Sequence, residues 1–205
     1  MTHLSRRAFV TAVVPAALLV SCAGHGSDGA SAPRPGGTPA RSSADTANAP
    51  AAPGRSAPAR LRIPEIGVDT PVMRLGLAQD GSVQVPPITA HDQAGWYQHS
   101  PAPGQLGPSV ILGHVTVGAY GAGVFRHLDR LRRGDGITVR LENGRSAEFT
   151  VTSVRTVAKA DFPTKEVYGD VDRPELRLIT CGGPRTGDGY LDNVIVFAAL
   201  STASH

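Results

Sequence analysis

Leu176-Arg177-Leu178-Ile179-Thr180-Cys181-Gly182-Gly183 is the stretch from which the rest of the chain can be read. Its first six residues alternate as a β-strand does, so Leu176, Leu178 and Thr180 share one face and Arg177, Ile179 and Cys181 the other. Two glycines follow at once. Glycine weakens a strand and admits close backbone approach, so the pair is expected to stop the strand and leave a thiol displayed at its edge. Two roles stand open for Cys181. It is either a small buried hydrophobe, as free cysteines often are, or a nucleophile.

The N-terminal sixty residues bear on that choice. Residues 1–22 carry an export signal: Ser5-Arg6-Arg7-Ala8-Phe9-Val10 has twin-arginine form and leads a short apolar run, Ala8 to Val20. A membrane span needs about 20 apolar residues, which that run does not supply. It closes on Leu19-Val20-Ser21-Cys22, which resembles the lipobox of bacterial lipoproteins. That resemblance implies cleavage before Cys22 and a diacylglycerol on its sulfur; the alternative is an uncleaved signal anchor. Either way the mature domain is expected outside the cytoplasmic membrane.

Residues 23–60 are dominated by Ala, Gly, Ser, Pro and Thr, with no aromatic residue and no apolar period. Such a segment buries too little surface to offset its ordering entropy, so a disordered tether is expected. At roughly 3 Å per residue it would reach about 100 Å at most. The chain has two cysteines. If Cys22 carries lipid, Cys181 has no partner, and exported proteins usually pair their cysteines or lack them. An unpaired thiol kept in an oxidising compartment points to chemistry.

Residues 61–200 are long enough for one domain, followed by a tail at 201–205. The pattern is mainly β. Leu61 to Val72 reads as an edge segment interrupted by prolines, and Ser82 to Pro86 as a short strand after Asp80-Gly81. Ser109 to Val115 reads as a central apolar strand. Gly136 to Leu141 and Ala147 to Val154 form a hairpin through Asn143-Gly144. With Leu176–Cys181 and Asn193–Ala198 this gives seven or eight strands, a closed barrel or a sandwich, with short helical pieces near Val124–Leu131 and Asp161–Val167.

His114 alone among the seven histidines follows an uninterrupted apolar strand, with Gly113 before it. It either caps that strand end or serves as the base that a cysteine nucleophile needs, taking the thiol proton and later protonating a leaving amine. No metal-ligand spacing, Walker-type or dinucleotide glycine pattern occurs, so no cofactor is called for. The formal charge of +3 comes without a basic stripe, which argues against nucleic acid as a partner.

Taken in order, these residues resemble the sortases, most closely the class F type of actinobacteria. Leu178-Ile179-Thr180-Cys181-Gly182-Gly183 matches the family's strand ending in Thr-Cys, and Leu112-Gly113-His114-Val115 its Gly-His. Leu61-Arg62-Ile63-Pro64, Ala94-Gly95-Trp96-Tyr97, Gly107-Pro108-Ser109-Val110, Leu131 to Gly134-Asp135 and Asp192-Asn193-Val194-Ile195-Val196 follow the family's order across 61–198. The resemblance implies an eight-stranded barrel with His114 and Cys181 at neighbouring strand ends. It also implies the reaction. Cys181 attacks a carbonyl within a sorting signal similar to Leu-Pro-x-Thr-Gly on an exported protein, and a peptidoglycan-precursor or protein amine resolves the thioester. Thr180 would line the groove.

The chain departs from that pattern in two places. Sortases carry an arginine near the start of the last strand, and the aligned residue here is Asn193. The nearest arginine, Arg185, sits on what reads as a Gly/Pro-rich loop, from which it is expected to reach the developing oxyanion unless Asn193 does so. Relatives are usually held by a transmembrane helix rather than a lipid. Two other readings are a non-catalytic barrel that binds wall components or an exported protein, and a hydrolytic cysteine peptidase.

Overall fold

The computed structural model describes residues 56–187 and 189–201. The expected signal, Cys22 and nearly all of the tether lie outside the described residues. Ten strands are present: β1 Pro58–Ile63, β2 Val68–Leu75, β3 Ala94–Tyr97, β4 Gly107–Leu112, β5 Thr116–Val117, β6 Gly121–Ala122, β7 Gly136–Leu141, β8 Ser146–Ala158, β9 Pro174–Thr186 and β10 Gly189–Leu200. Eight of them close a barrel in the order β1-β2-β3-β4-β9-β10-β8-β7, while β5 and β6 pair with each other. One short helix, α1 Thr164–Tyr168, lies in the β8–β9 connection, and Leu128–Arg130 forms a 3-10 turn.

Four expectations change. The first strand begins at Pro58 rather than 61, and the backbone of Ala57 already bonds across to Glu142. This segment is no edge, because β1 pairs with β2 on one side and β7 on the other. Pro64 opens a 3-10 turn, where its missing N–H costs nothing. Pro71 lies one residue before β3 joins β2 at Val72, so only one flank of the strand has a ladder there. Residues 82–86 are not a strand: a lone bridge, Leu77 to Val83, and the Gln84 N–H to Gly76 O bond shape them into a loop. Finally, β9 does not stop at the glycines but runs on to Thr186, paired with β10 as far as Gly189.

The alternation read from the sequence holds within β9. Leu176 and Leu178 are fully buried inside the barrel with Leu61, Ile63, Val139, Phe149 and Val196. Ile179 faces outward into a second apolar cluster with Val110, Val167 and Ile195, roofed by Phe162 and Tyr168 of the β8–β9 connection. Both faces of β4 and β9 are therefore covered, which is why their sequences run apolar with little interruption.

A charged network pins that roof. Arg177, 3 % exposed, pairs with Glu175, donates to Glu166 O and stacks its guanidinium 4.6 Å from the Phe197 ring centroid. Arg155 also donates to Glu166, with its guanidinium 5.0 Å from the centroid of the same ring. Burial alone would raise the Glu175 carboxyl, but the Arg177 and Arg173 guanidiniums outweigh it and hold it below the usual carboxylate range. A buried arginine is thus fully partnered, and α1 is fixed over the outer face of the sheet.

Candidate active site

The site follows from strand register. Strands β4 and β9 are parallel, with Leu112 opposite Ile179, and the Gly113 N–H continues the ladder to Ile179 O at 3.1 Å. His114 and Cys181 each lie two residues further along; β4 has ended at Leu112 by then while β9 continues, so His114 sits just past the end of the strand that neighbours Cys181's. On the far side of Cys181, β10 places Asn193 directly opposite. Opposed residues of antiparallel strands share a face, with Cβ atoms about 5 Å apart. Cys181 and Asn193 thereby share a face, and His114, beyond the end of β4, completes the row. All three line a cavity of about 190 Å³, together with Val85, Pro86, Leu112, Ile179 and Thr180.

Local packing explains why glycine precedes His114. A methyl group on Gly113 would stand 2.5 Å from the Phe125 ring and 2.7 Å from Val124 Cγ1, and Phe125 is fully buried. The glycine lets the segment after β6 close over the end of β4. The glycines after Cys181 have the same kind of cause. A Cβ on Gly182 would meet Val194 Cγ2 at 2.6 Å, and one on Gly183 would collide with the Asp192 carboxylate. Gly183 also adopts φ 70°, in the left-handed region. The register shifts between Tyr190 and Asp192, so these glycines accommodate a bulge in the ribbon rather than ending it.

Cys181 is half-buried and free. Thr180 points to the other face; it is 4 % exposed and its Oγ1 has no hydrogen-bond partner. Thr180 and Cys181 also border a second cavity of about 350 Å³ at the barrel mouth, with Arg126, Asp129, Gly182, Gly183 and Tyr190. Across that rim the Tyr190 and Thr116 hydroxyls bond to each other, tying the β9–β10 ribbon to the β5–β6 hairpin. His114 Nε2 lies 2.6 Å from Pro86 O. A carbonyl oxygen can only accept, so Nε2 carries the proton.

Arg185 stands apart from this row. It lies on β9 itself, not on a loop, opposite Tyr190, with its guanidinium 5.9 Å from that ring's centroid. It is exposed and lines neither cavity that touches Cys181. Sequence reasoning missed Val85, Pro86, Arg126 and Tyr190. The one available signal is the Pro86-Pro87 pair, of which the expected strand takes in only Pro86.

Along the outer face of β4 the lining continues. Pro108 and Val110 border a groove of about 640 Å³ with Tyr97, Phe162 and Tyr168, and the next outward residues, Leu112 and His114, border the thiol cavity. Burial, then the neighbouring Tyr97, push the Tyr168 phenol above its ordinary range, so it stays neutral. The groove mixes these aromatic and apolar side chains with His99, Ser100, Thr164 and Asp170. Among the described residues no group of three His, Cys, Asp or Glu side chains could hold a metal ion.

The family profile described as Sortase domain matches residues 61–201. Among solved structures, a lid mutant of sortase A from Corynebacterium diphtheriae is 22% identical, with a TM-score of 0.57 and 73% of each chain covered. Sortase C-1 from Actinomyces oris is 21% identical at a TM-score of 0.55, covering 70% of this chain and 73% of that one. A sortase D5 transpeptidase from Clostridium perfringens is 24% identical at 0.53, covering 71% and 79%. No curated protein matches the chain. At these identities the structures speak for the fold, and the profile, which spans most of the chain, speaks for the family. The chain belongs to the sortase family, enzymes of the cysteine transpeptidase type.

Proposed function

We propose that this chain is an extracytoplasmic transpeptidase of the class F type. In this reading Cys181 cleaves a sorting signal similar to Leu-Pro-x-Thr-Gly and passes the acyl group to a cell-wall or protein amine. The observation that carries the reading is the cavity shared by His114, Cys181 and Asn193 just beyond the end of β4, with Asn193 opposite Cys181. The ordered motifs from Leu61 to Val196 favour class F.

The chemistry follows from that arrangement. The thiol proton passes to His114, the sulfur attacks the scissile carbonyl carbon, and negative charge develops on its oxygen. His114 then gives the proton to the departing nitrogen, leaving a thioester. An incoming amine reverses these steps, and water in its place gives hydrolysis. The decisive experiment incubates the full chain with a mixture of sorting-signal peptides and measures the mass on Cys181. A trapped acyl fragment of one peptide supports the proposal and reports its specificity. A thiol that stays unmodified at every concentration overturns it in favour of a binding barrel.

The oxyanion donor is the one role for which geometry and charge point to different residues. Asn193 stands opposite Cys181 in the shared cavity, while Arg185 lies four residues beyond, on the exposed ribbon. One well-placed donor is worth about 3 kcal/mol, roughly a hundredfold in rate. The expected result is that Asn193→Ala slows single-turnover acylation about that much and Arg185→Ala leaves it nearly unchanged. The reverse ranking moves the role to Arg185.

For location, the lipobox-like end of the signal supports a lipid anchor at Cys22 on the outer face of the membrane, with the Pro-rich segment as tether. Intact-mass measurement of the detergent-extracted chain should show a diacylglycerol thioether on residue 22. A chain that retains residues 1–21 excludes it.

A further inference from the structure

Gln84-Val85-Pro86-Pro87-Ile88 crosses the mouth of the site between β2 and β3. Its conformation is over-determined. Each proline ring locks φ near −65°, and a residue that precedes proline is confined to extended backbone. Pro86 is under both constraints, and Pro87 shows φ −56°, ψ 146°. Both ends of the strut are tied down. Gln84 N–H donates to Gly76 O at 3.0 Å while its side chain accepts from Gly76 N–H at 2.8 Å, and Pro87 O accepts from Ala90 N–H at 2.9 Å. Val85 and Ile88 are 60% and 63% exposed, so packing of large side chains is not what this segment supplies. It supplies a carbonyl: Pro86 O, 2.6 Å from His114 Nε2.

We propose that the Pro86-Pro87 strut is a positioning element for His114, fixing the ring with its proton on Nε2 so that Nδ1 exchanges the proton with thiol and substrate. The inference rests on the reading of His114 as acid and base. During acylation the sulfur–carbon bond forms and the carbon–nitrogen bond breaks. The leaving nitrogen takes the proton from Nδ1, and Nε2–H stays on Pro86 O throughout. The imidazole ends neutral, in the tautomer that can accept a proton from the incoming amine at the same atom. Rigid support matters because an acid–base group displaced by about 1 Å can lose a hundredfold in rate. A carbonyl held by two proline rings, rather than by a flexible side chain, keeps that geometry as peptides enter and leave.

The test has two parts. In the full chain labelled with ¹⁵N-histidine, long-range nitrogen–proton correlations on neutral His114, assigned by their loss in His114→Gln, are expected to show a protonated Nε2 and a bare Nδ1. The opposite tautomer overturns the proposal, and this measurement needs no altered strut. In the second part, Pro87→Gly frees the Pro86 carbonyl, whereas Ile88→Ala changes an exposed neighbour and leaves both proline rings in place. Pro87→Gly is expected to slow single-turnover acylation at saturating peptide roughly a hundredfold with unchanged peptide affinity, while Ile88→Ala acylates close to the unsubstituted rate. Normal acylation by Pro87→Gly, alongside a crippled His114→Ala, overturns the positioning role and leaves the transpeptidase reading intact. Normal acylation by His114→Ala overturns the acid–base reading and this inference with it.

Discussion

Cys181→Ala is expected to abolish acyl-enzyme formation completely, with no residual thioester by mass spectrometry after long incubation. The expectation rests on what remains once the sulfur is gone. Cys181 is the free cysteine of the described residues, and the other cysteine of the sequence, Cys22, lies outside them. The neighbouring hydroxyl, Thr180 Oγ1, is buried on the opposite face of β9. A hydroxyl so placed is a far weaker nucleophile than a thiolate, with no base set to take its proton. The variant should fold normally, because its half-buried side chain shrinks by one atom while the β4–β9–β10 ladders stay whole. An acyl adduct on the alanine variant would show that another residue attacks and that the row His114–Cys181–Asn193 is not the reaction centre.

His114→Ala should slow single-turnover acylation by a factor of roughly 100 to 10,000, the usual worth of a positioned acid or base. The loss falls on the rate rather than on peptide binding, since the groove bordered by Pro108 and Val110 is untouched. Truncation leaves space beside Pro86 O, so added imidazole should restore part of the rate without restoring it to Cys181→Ala. Unchanged acylation in His114→Ala, measured over a range of pH, would remove the histidine from the mechanism.

Much of the site was legible because β-structure converts sequence into geometry with few free parameters. Alternation placed Cys181 on the outward face with Ile179, and the apolar run ending in Gly113-His114 marked where β4 stops. What a single chain does not display is which strands pair. The parallel β4–β9 contact joins residues 67 positions apart (Leu112 to Ile179, 179 − 112). Nothing in either segment announces the other without the family resemblance. The glycines misled for a related reason. Gly182 and Gly183 read as a strand break, yet each is required by a side chain arriving from β10, Val194 and Asp192, whose position depends on the pairing. The same holds for 82–86. Val83 and Val85 carry β-type residues, but the prolines deny that segment a ladder, and its one tertiary bond comes from a histidine 28 positions away (114 − 86). Arg185 drew weight in the sequence because charge is visible there and distance is not.

Closure of the barrel bears on how any peptide partner can be read. In a ring of eight strands, much of the backbone along the strand flanks is already committed to a neighbour, although β2 before Val72 and β4 before Ile111 have a ladder on one flank only. Closure thus limits where a partner can extend the sheet, the route by which many modules hold extended peptides through main-chain bonds alone. Beyond Leu112, however, β4 has left and β9 continues, so from Cys181 onward one flank of β9 faces the site rather than a barrel strand. At the nucleophile itself, therefore, an extended peptide meets strand backbone that the ring has left unpaired, and main-chain bonds made there carry no information about its side chains.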